Sequence, residues 1–324
     1  MRLFAQADYP FLQWRRQAYI LTGIVLLTCF AAMGYHTVRD GSWLNYGVDF
    51  AGGTVIQVDF AQPISVEQIR SAATAAGQRW DITRFGGGGD EFVIRTAAFE
   101  GTEGRDAGQV VRGILAQRFP QGSYDVVRTE AVGPRAGADL QRQALFAILA
   151  SFALTLAYIA VRFEWRFGIA AVIATAHDLL VTLGLLSILW NEVSLGTVAA
   201  VLTIVGYSLN DTIIVFDRIR ENLARSVRRV DYAEVLSRSI NETLPRTVLT
   251  TGTTLITLFS LYMFGGGVIR IFAQVLIFGI AIGTFSSVFI AAPALYEIER
   301  RWPRQAKAPA RSAGAAPSRV SSSV

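Results

Sequence analysis

The stretch LGTVAAVLTIVGYSLNDTIIVFDRIREN, residues 195–222, decides how the rest of the chain reads. From Leu195 to Phe216 it is apolar around a single charge, Asp211, and from Asp217 onward it turns strongly polar. A helix that crosses a bilayer needs roughly 20 mostly apolar residues, so 195–216 reads as a span and the residues after it as its exit into water. A charge this far inside a span costs roughly 3 kcal/mol on insertion scales, which makes Asp211 a functional candidate.

The same pattern recurs on either side. Apolar stretches at 17–35, 140–161, 168–189, 246–264 and 271–295 bring the number of spans to six, in a chain of 324 residues that is 52% hydrophobic and 17% charged. That composition is too apolar for a water-soluble domain of this length, and the lipid bilayer is the expected solvent. The first stretch reads as an anchor and not as a cleaved signal, because an aromatic and basic segment precedes it and no small-residue cleavage pattern follows Met33.

Arginines gather just beyond the apolar ends. Arg15 and Arg16 precede the first span, Arg162 and Arg166 follow the second, Arg218 to Arg238 follow the fourth, and Arg300, Arg301 and Arg304 follow the last. Basic flanks mark the cytoplasmic side, so residues 1–16 and 299–324 are expected inside and the 36–139 segment outside. This placement accounts for the formal net charge of +5 without nucleic acid, which is not expected as a partner. Cys29 is the single cysteine, so no disulfide framework and no metal site are expected.

Residues 36–139 form the one stretch long enough for a domain outside the membrane. Thr54–Phe60, Trp80–Phe85, Glu91–Thr96 and Tyr124–Glu130 read as strands, while Ser65–Ala76 and Asp106–Phe119 read as helices. The order βαββαβ predicts an α+β, ferredoxin-like unit with two helices on one face of a small sheet. The glycines at 86–89 join two strands and lack the Lys and Ser/Thr of a phosphate loop, so they read as a hairpin turn. Residues 140–298 hold the other five spans, interrupted by a polar segment, 218–243, with the apolar spacing of an interfacial helix. The Ala/Pro/Ser/Arg-rich end of the 299–324 tail cannot bury a core and is expected to be disordered.

Three charges lie in or at the edge of the spans: Asp178, Asp211 and Arg246. Asp211 either binds a proton or only bonds a neighbouring helix. Arg246 follows Pro245, a residue suited to a first helical turn, and Thr250, Thr253 and Thr257 continue its face into the membrane. Such a face is expected to line a polar interior, the alternative being an Arg246 that snorkels to the headgroups. Asp211 and Arg246 fall at similar depth and are expected to meet, with the carboxyl as the group that titrates, since arginine keeps its charge. Asp178 either hydrates the bundle or makes structural hydrogen bonds. His177 beside it is expected to point about 100° away, so the two are no catalytic or metal pair. Tyr207 and Asn210 flank Asp211 as further polar groups, and Gly279, Gly283 and Ser287 stand at four-residue intervals that let another helix approach. No nucleotide loop, hydrolase triad or Cys/His cluster appears, so no cofactor is expected. An ion gradient is then the energy source, at roughly 2.3 kcal/mol per charge per 100 mV.

Gly47-Val-Asp-Phe-Ala-Gly-Gly-Thr54, Val132-Gly-Pro134, His177-Asp178, Gly206 to Asn222, Thr243-Leu-Pro-Arg-Thr247, Phe264-Gly-Gly266 and Gly283-Thr-Phe-Ser-Ser287 resemble, in order and spacing, the SecF family of protein-export membrane proteins. The resemblance runs from the first span through the last. It implies a half of a resistance-nodulation-division type fold that forms an obligate heterodimer with SecD. It further implies work beside the SecYEG translocon and other Sec accessory subunits, on unfolded preprotein at the outer face of the bacterial inner membrane, driven by the proton gradient. Asp211 and Arg246 match the family's proton path, and Asp49, Phe50, Gly52 and Gly53 match its motif at the entry to the outer domain. Two other readings stand beside it: half of a small-molecule or lipid exporter, and a non-transporting assembly subunit. The single compact outer domain speaks against the first, and Asp211 with the Arg246 face against the second.

Overall fold

The computed structural model describes residues 8–78, 80–85, 90–96, 105–120, 122–225, 231–265 and 267–303. The hairpin expected at 86–89 and the tail from 304 onward lie outside the described residues. Helix α1 (Arg15–Asp40) leads into a two-residue strand, β1 (Asn45–Tyr46), and a single turn, α2 (Val48–Ala51). Then come β2 (Gly53–Phe60), α3 (Val66–Ala75), β3 (Asp81–Phe85), β4 (Glu91–Thr96), α4 (Arg105–Arg118) and β5 (Tyr124–Val132). The chain returns through α5 (Pro134–Arg162), α6 (Trp165–Ile188), the short strand β6 (Glu192–Val193), α7 (Leu195–Arg225) and α8 (Tyr232–Phe264). It closes with α9 (Gly267–Ser286), a π-helical turn at Ser287–Ala291 and α10 (Ala292–Arg301).

The small domain is a four-stranded sheet of order β3-β4-β2-β5 in which every neighbouring pair is antiparallel. Alternation places Ile56, Val58 and Phe60 of β2 inward. They share one core with Phe92 and Ile94 of β4, Ile69 and Ala73 of α3, and Val111 and Leu115 of α4. Helix α3 starts on a capping box, where the Ser65 hydroxyl accepts from the Gln68 backbone N–H and the Gln68 side chain accepts from that of Ser65. Gly53 begins β2 with φ +130°, and a Cβ there would sit 2.7 Å from the Thr96 carbonyl oxygen, so strand β4 can lie this close only beside glycine.

Among the described residues six helices are long and apolar enough to cross a membrane: α1, α5, α6, α7, α8 and the run Ile269–Arg301. They are not equivalent. About half or more of the most apolar window is buried in α6, α7 and the last run, against 6% in α5. Thus α6, α7 and α9 make the centre of the bundle, while α1, α5 and α8 leave broad apolar faces outward, as spans in lipid or against a partner can. Small residues draw the centre together: a Cβ on Gly279 would lie 2.1 Å from Ile204 Cδ1, and one on Gly283 would lie 2.9 Å from Ser208 Cβ.

The helices overrun the apolar stretches, and the polar segment expected at 218–243 is not one element. Its first part, through Arg225, is the end of α7, and its last part, from Tyr232, is the start of α8. Pro245 does not begin a helix but lies inside α8. The helix continues past the missing N–H because tertiary bonds hold both flanks. Asn241 Nδ2 donates to the Tyr9 carbonyl at 2.9 Å, Asn222 of α7 donates to Glu242 at 2.8 Å, and Thr251 meets Thr284 of α9 at 2.9 Å.

Candidate functional site in the helix bundle

The α7 residues Ser208 and Asp211 stand three apart and share a buried face, Ser208 meeting Asp178 of α6 and Asp211 meeting Thr284 of α9. Asp211 is fully buried. Its Oδ2 accepts from Thr284 Oγ1 of α9 at 3.2 Å, and Thr284 in turn meets Thr251 of α8 at 2.9 Å. The other oxygen, Oδ1, is buried and makes no hydrogen bond among the described residues, although Thr251 also bears on this carboxyl, and the hydroxyl of Thr247, one turn before Thr251, is likewise unpaired. Leaving a buried polar atom unpaired costs about 1–3 kcal/mol, more for a charged group. A site that retains such an atom is a place to look for chemistry.

Asp178 of α6 is also buried, yet every part of its carboxyl is engaged. Oδ2 accepts from Ser208 Oγ at 2.5 Å and from Ser286 Oγ at 2.7 Å, while Oδ1 lies 2.9 Å from His177 Nδ1. The expectation that His177 and Asp178 point apart is therefore corrected: the χ angles of neighbouring residues can bring two side-chain tips together although their Cβ atoms diverge. Asp178 ties α6, α7 and α9 at one point. Among the described residues no group of three His, Cys, Asp or Glu could hold a metal.

The threonine face differs from the expectation. Thr250, Thr253 and Thr257 are exposed on the surface of the chain, as is Arg246. Their hydroxyls turn back on their own helix, Thr250 to the Arg246 carbonyl at 3.0 Å and Thr257 to the Thr253 carbonyl at 3.1 Å, which is how a hydroxyl without a partner helix satisfies itself. The inward stripe is one residue over: Thr247 and Thr251 are buried, and Thr254 receives a 3.2 Å hydrogen bond from the Tyr207 hydroxyl. Arg246 forms no ion pair with Asp211 among the described residues, although its charge bears on that carboxyl. Asn210 faces away from Asp211 into a groove beside Thr155 and Tyr158 of α5. Ser287 is buried and bonds the Thr284 carbonyl at 2.9 Å at the start of the π-helical turn. Ser208, Thr251, Thr284 and Ser286 were not singled out by the sequence reading, since an isolated hydroxyl in an apolar run gives no local signal.

The entry motif is built into the bundle. Asp49 Oδ2 accepts from the backbone N–H of Leu195, the first residue of α7, at 2.8 Å. Phe50 is buried with Val193, Ala200 and Val201, and Gly52 and Gly53 turn the chain from α2 into β2.

A sequence profile described as protein export membrane protein SecD/SecF, C-terminal, matches residues 114–301, and the SecD/SecF GG motif matches residues 41–64. The chain belongs to the SecD/SecF family. Within it, the protein translocase subunit SecF of Gemmatimonas aurantiaca is 44% identical over 94% of this chain and 91% of its own length. The protein of the same name from Escherichia coli O157:H7 is 38% identical over 88% and 86%. The crystal structure of SecDF from Thermus thermophilus, a translocon-associated membrane protein, superposes with a TM-score of 0.79 at 35% identity, covering 93% of this chain and 40% of that one. A SecDF structure in a super-membrane-facing form gives 0.64 at 34% identity. This member of the SecD/SecF family is therefore a multi-pass membrane protein of the protein-export machinery, spanning about 40% of the SecDF chain it matches. The GG-motif match takes in Asp49, Phe50, Gly52 and Gly53.

Proposed function

We propose that this chain works as the SecF half of a proton-driven complex that helps preproteins across the bacterial inner membrane, with Asp211 as its proton-exchanging group. The observation that carries the reading is the fully buried Asp211 carboxyl, with one oxygen held by Thr284 and the other without a donor. Such a group gains a bonding option by taking a proton and loses one by releasing it. Small shifts among α7, α8 and α9 therefore change which state is favoured. Arg246 keeps its charge throughout and biases the carboxyl from the side.

In this reading SecD supplies the other half of the membrane bundle. The exposed face of Arg246, Thr250, Thr253 and Thr257 and the uncovered flank of α5 are surfaces it can cover. SecYEG and its accessory subunits are the further partners, unfolded preprotein is the substrate, and no cofactor is used beyond the gradient. The small domain, a ferredoxin-like arrangement by strand order, lies on the outer face, and both termini lie in the cytoplasm, as the arginine distribution requires.

The test is gradient-dependent translocation in vesicles carrying SecD and the translocon. Asp211→Asn keeps shape and hydrogen bonding but cannot titrate, and it should assemble while losing the gradient-dependent part of export. Asp211→Glu should retain some of it. Arg246→Lys should be impaired, because the planar guanidinium is lost. Wild-type gradient dependence in Asp211→Asn would return Asp211 to an interhelical hydrogen-bonding role. Labelling of intact cells with an impermeant thiol reagent checks the orientation: a cysteine at Ser123 should react and one at Arg225 should not, Cys29 being buried.

A further inference from the structure

The GG-motif segment has no part in the proton chemistry, yet it joins the small domain to the bundle through close contacts. Strand β1 pairs in parallel with β6, Asn45 beside Glu192 and Tyr46 beside Val193, and the Gly47 N–H donates to the Val193 carbonyl at 2.9 Å. Asn45 Nδ2 donates to the Trp190 carbonyl at 3.0 Å. Asp49 holds the first N–H of α7, and Arg95, on β4 of the sheet, forms a half-shielded ion pair with Glu192. A Cβ on Gly47 would sit 2.5 Å from Glu192 Oε1 and would push that side chain aside, while one on Gly137 of α5 would sit 2.9 Å from the Phe50 backbone carbonyl oxygen, so Gly137 allows a backbone contact that no larger residue permits.

The covalent route out of the domain leads elsewhere. Its two chain connections run to α1 and α5, both of which leave most of their apolar surface uncovered. Asp49 contacts α7 directly, and Glu192, which pairs with Arg95, does so through its carbonyl, which accepts from Thr197 Oγ1 at 3.2 Å; α7 runs as one helix from Leu195 to Arg225 without a proline. Asp211 lies 16 residues along it, about 24 Å at 1.5 Å per residue. A tilt of about 5° at the Leu195 end would move Asp211 by about 2 Å by that geometry. A shift of that size across the bond, with α9 held in place, would lengthen the 3.2 Å Thr284 bond past the roughly 3.5 Å at which hydrogen bonds lapse.

We propose that the GG-motif segment is a mechanical joint, in which Asp49 and the Arg95–Glu192 pair act as positioning residues that pass movement of the outer domain to Asp211 through α7. The joint rests on the proton-driven reading above. Asp49 is placed for the task twice over: its carboxylate satisfies an otherwise unpaired helix N–H, and its negative charge faces the positive end of the α7 dipole.

The experiment uses the full complex in vesicles, with proton uptake and preprotein export measured together and normalised to assembled complex. Asp49→Ala removes the acceptor and should lower gradient-dependent export per complex about fivefold, the equivalent of a lost cap of about 1 kcal/mol, while proton uptake continues. Asp49→Asn keeps an acceptor oxygen and should retain at least about half of the export, because Asn caps as well as Asp. Arg95→Glu and Glu192→Arg should each uncouple export from proton uptake, and the double variant should restore coupling, since contacting residues are non-additive. Equal loss of uptake and export in Asp49→Ala, or full export per complex in all single variants, would overturn the joint. Wild-type complex without any gradient-dependent export would instead overturn the reading beneath it, and Asp211→Asn reports on that reading independently.

Discussion

Two carboxylates lie buried on the packed faces of neighbouring helices, and their surroundings are opposite in kind. Asp178 meets two serine hydroxyls and a histidine nitrogen on three helices; Asp211 receives one threonine and keeps one oxygen bare. The difference separates a carboxyl held by bonds on every side from one with a bonding position left open. A fully bonded carboxyl is held in one state by all its donors at once, and changing that state breaks several contacts. A carboxyl with a free oxygen changes state by rearranging little.

The largest effects should come from breaking the closed site. Asp178→Leu removes the acceptor common to Ser208, Ser286 and His177 and strands the first and last of these at about 1–3 kcal/mol each, while Ser286 keeps the Gly283 carbonyl at 3.1 Å. The protein should fail to accumulate in the membrane, as judged by immunoblot. Asp178→Asn can keep the network, because a His177 tautomer change lets Nδ1 accept from the new amide, and it should accumulate and export normally. A loss of gradient-dependent export in Asp178→Asn at normal accumulation, matching that expected for Asp211→Asn, would break the comparison.

The next effect in size concerns the packing that brings the sites together. Gly279→Leu places its side chain where Ile204 now sits and should destabilise the α7–α9 contact by about 1–3 kcal/mol, as overpacking does. Thermal unfolding of the detergent-solubilised complex should register this as a lowered midpoint. Closer to the open site, Thr251→Val removes one hydroxyl of the relay to Thr284 and should cost about 1 kcal/mol. Because Thr284 is the donor to Asp211, the same variant should also shift the pH profile of gradient-dependent export, which Asp178→Asn should not.

The smallest effect is a null one, and it sharpens the geometry. Thr250→Val, Thr253→Val and Thr257→Val each remove a hydroxyl that bonds only its own helix on a face exposed in this chain, so the stability of the chain without its partner should change by less than about 0.5 kcal/mol, the usual range for such surface substitutions. If these variants altered the pH profile as Thr251→Val is expected to, the working stripe would be the one that sequence spacing predicts.

Much of this molecule was legible in advance because hydropathy and periodicity are local properties. Six apolar runs, the basic flanks, the βαββαβ order and the isolation of Asp211 in its span all follow from residues near one another in the chain. Helix ends were less legible: α8 passes through Pro245 because Asn241, Glu242 and Thr251 have partners far away in sequence. Least legible was the rotation of each helix about its own axis. Adjacent positions differ by about 100°, so Thr250 and Thr251 are indistinguishable by composition, yet only packing against α9 decided which one points at Asp211. The same holds for Asp178 and Asp49, whose partners at Ser286 and Leu195 come from helices more than a hundred residues away. Sequence alone determined which segments are long and apolar enough to enter a membrane and which charges lie within them. The tertiary structure decided what each charge meets there, because a side chain's partners are set by the neighbours that close around it.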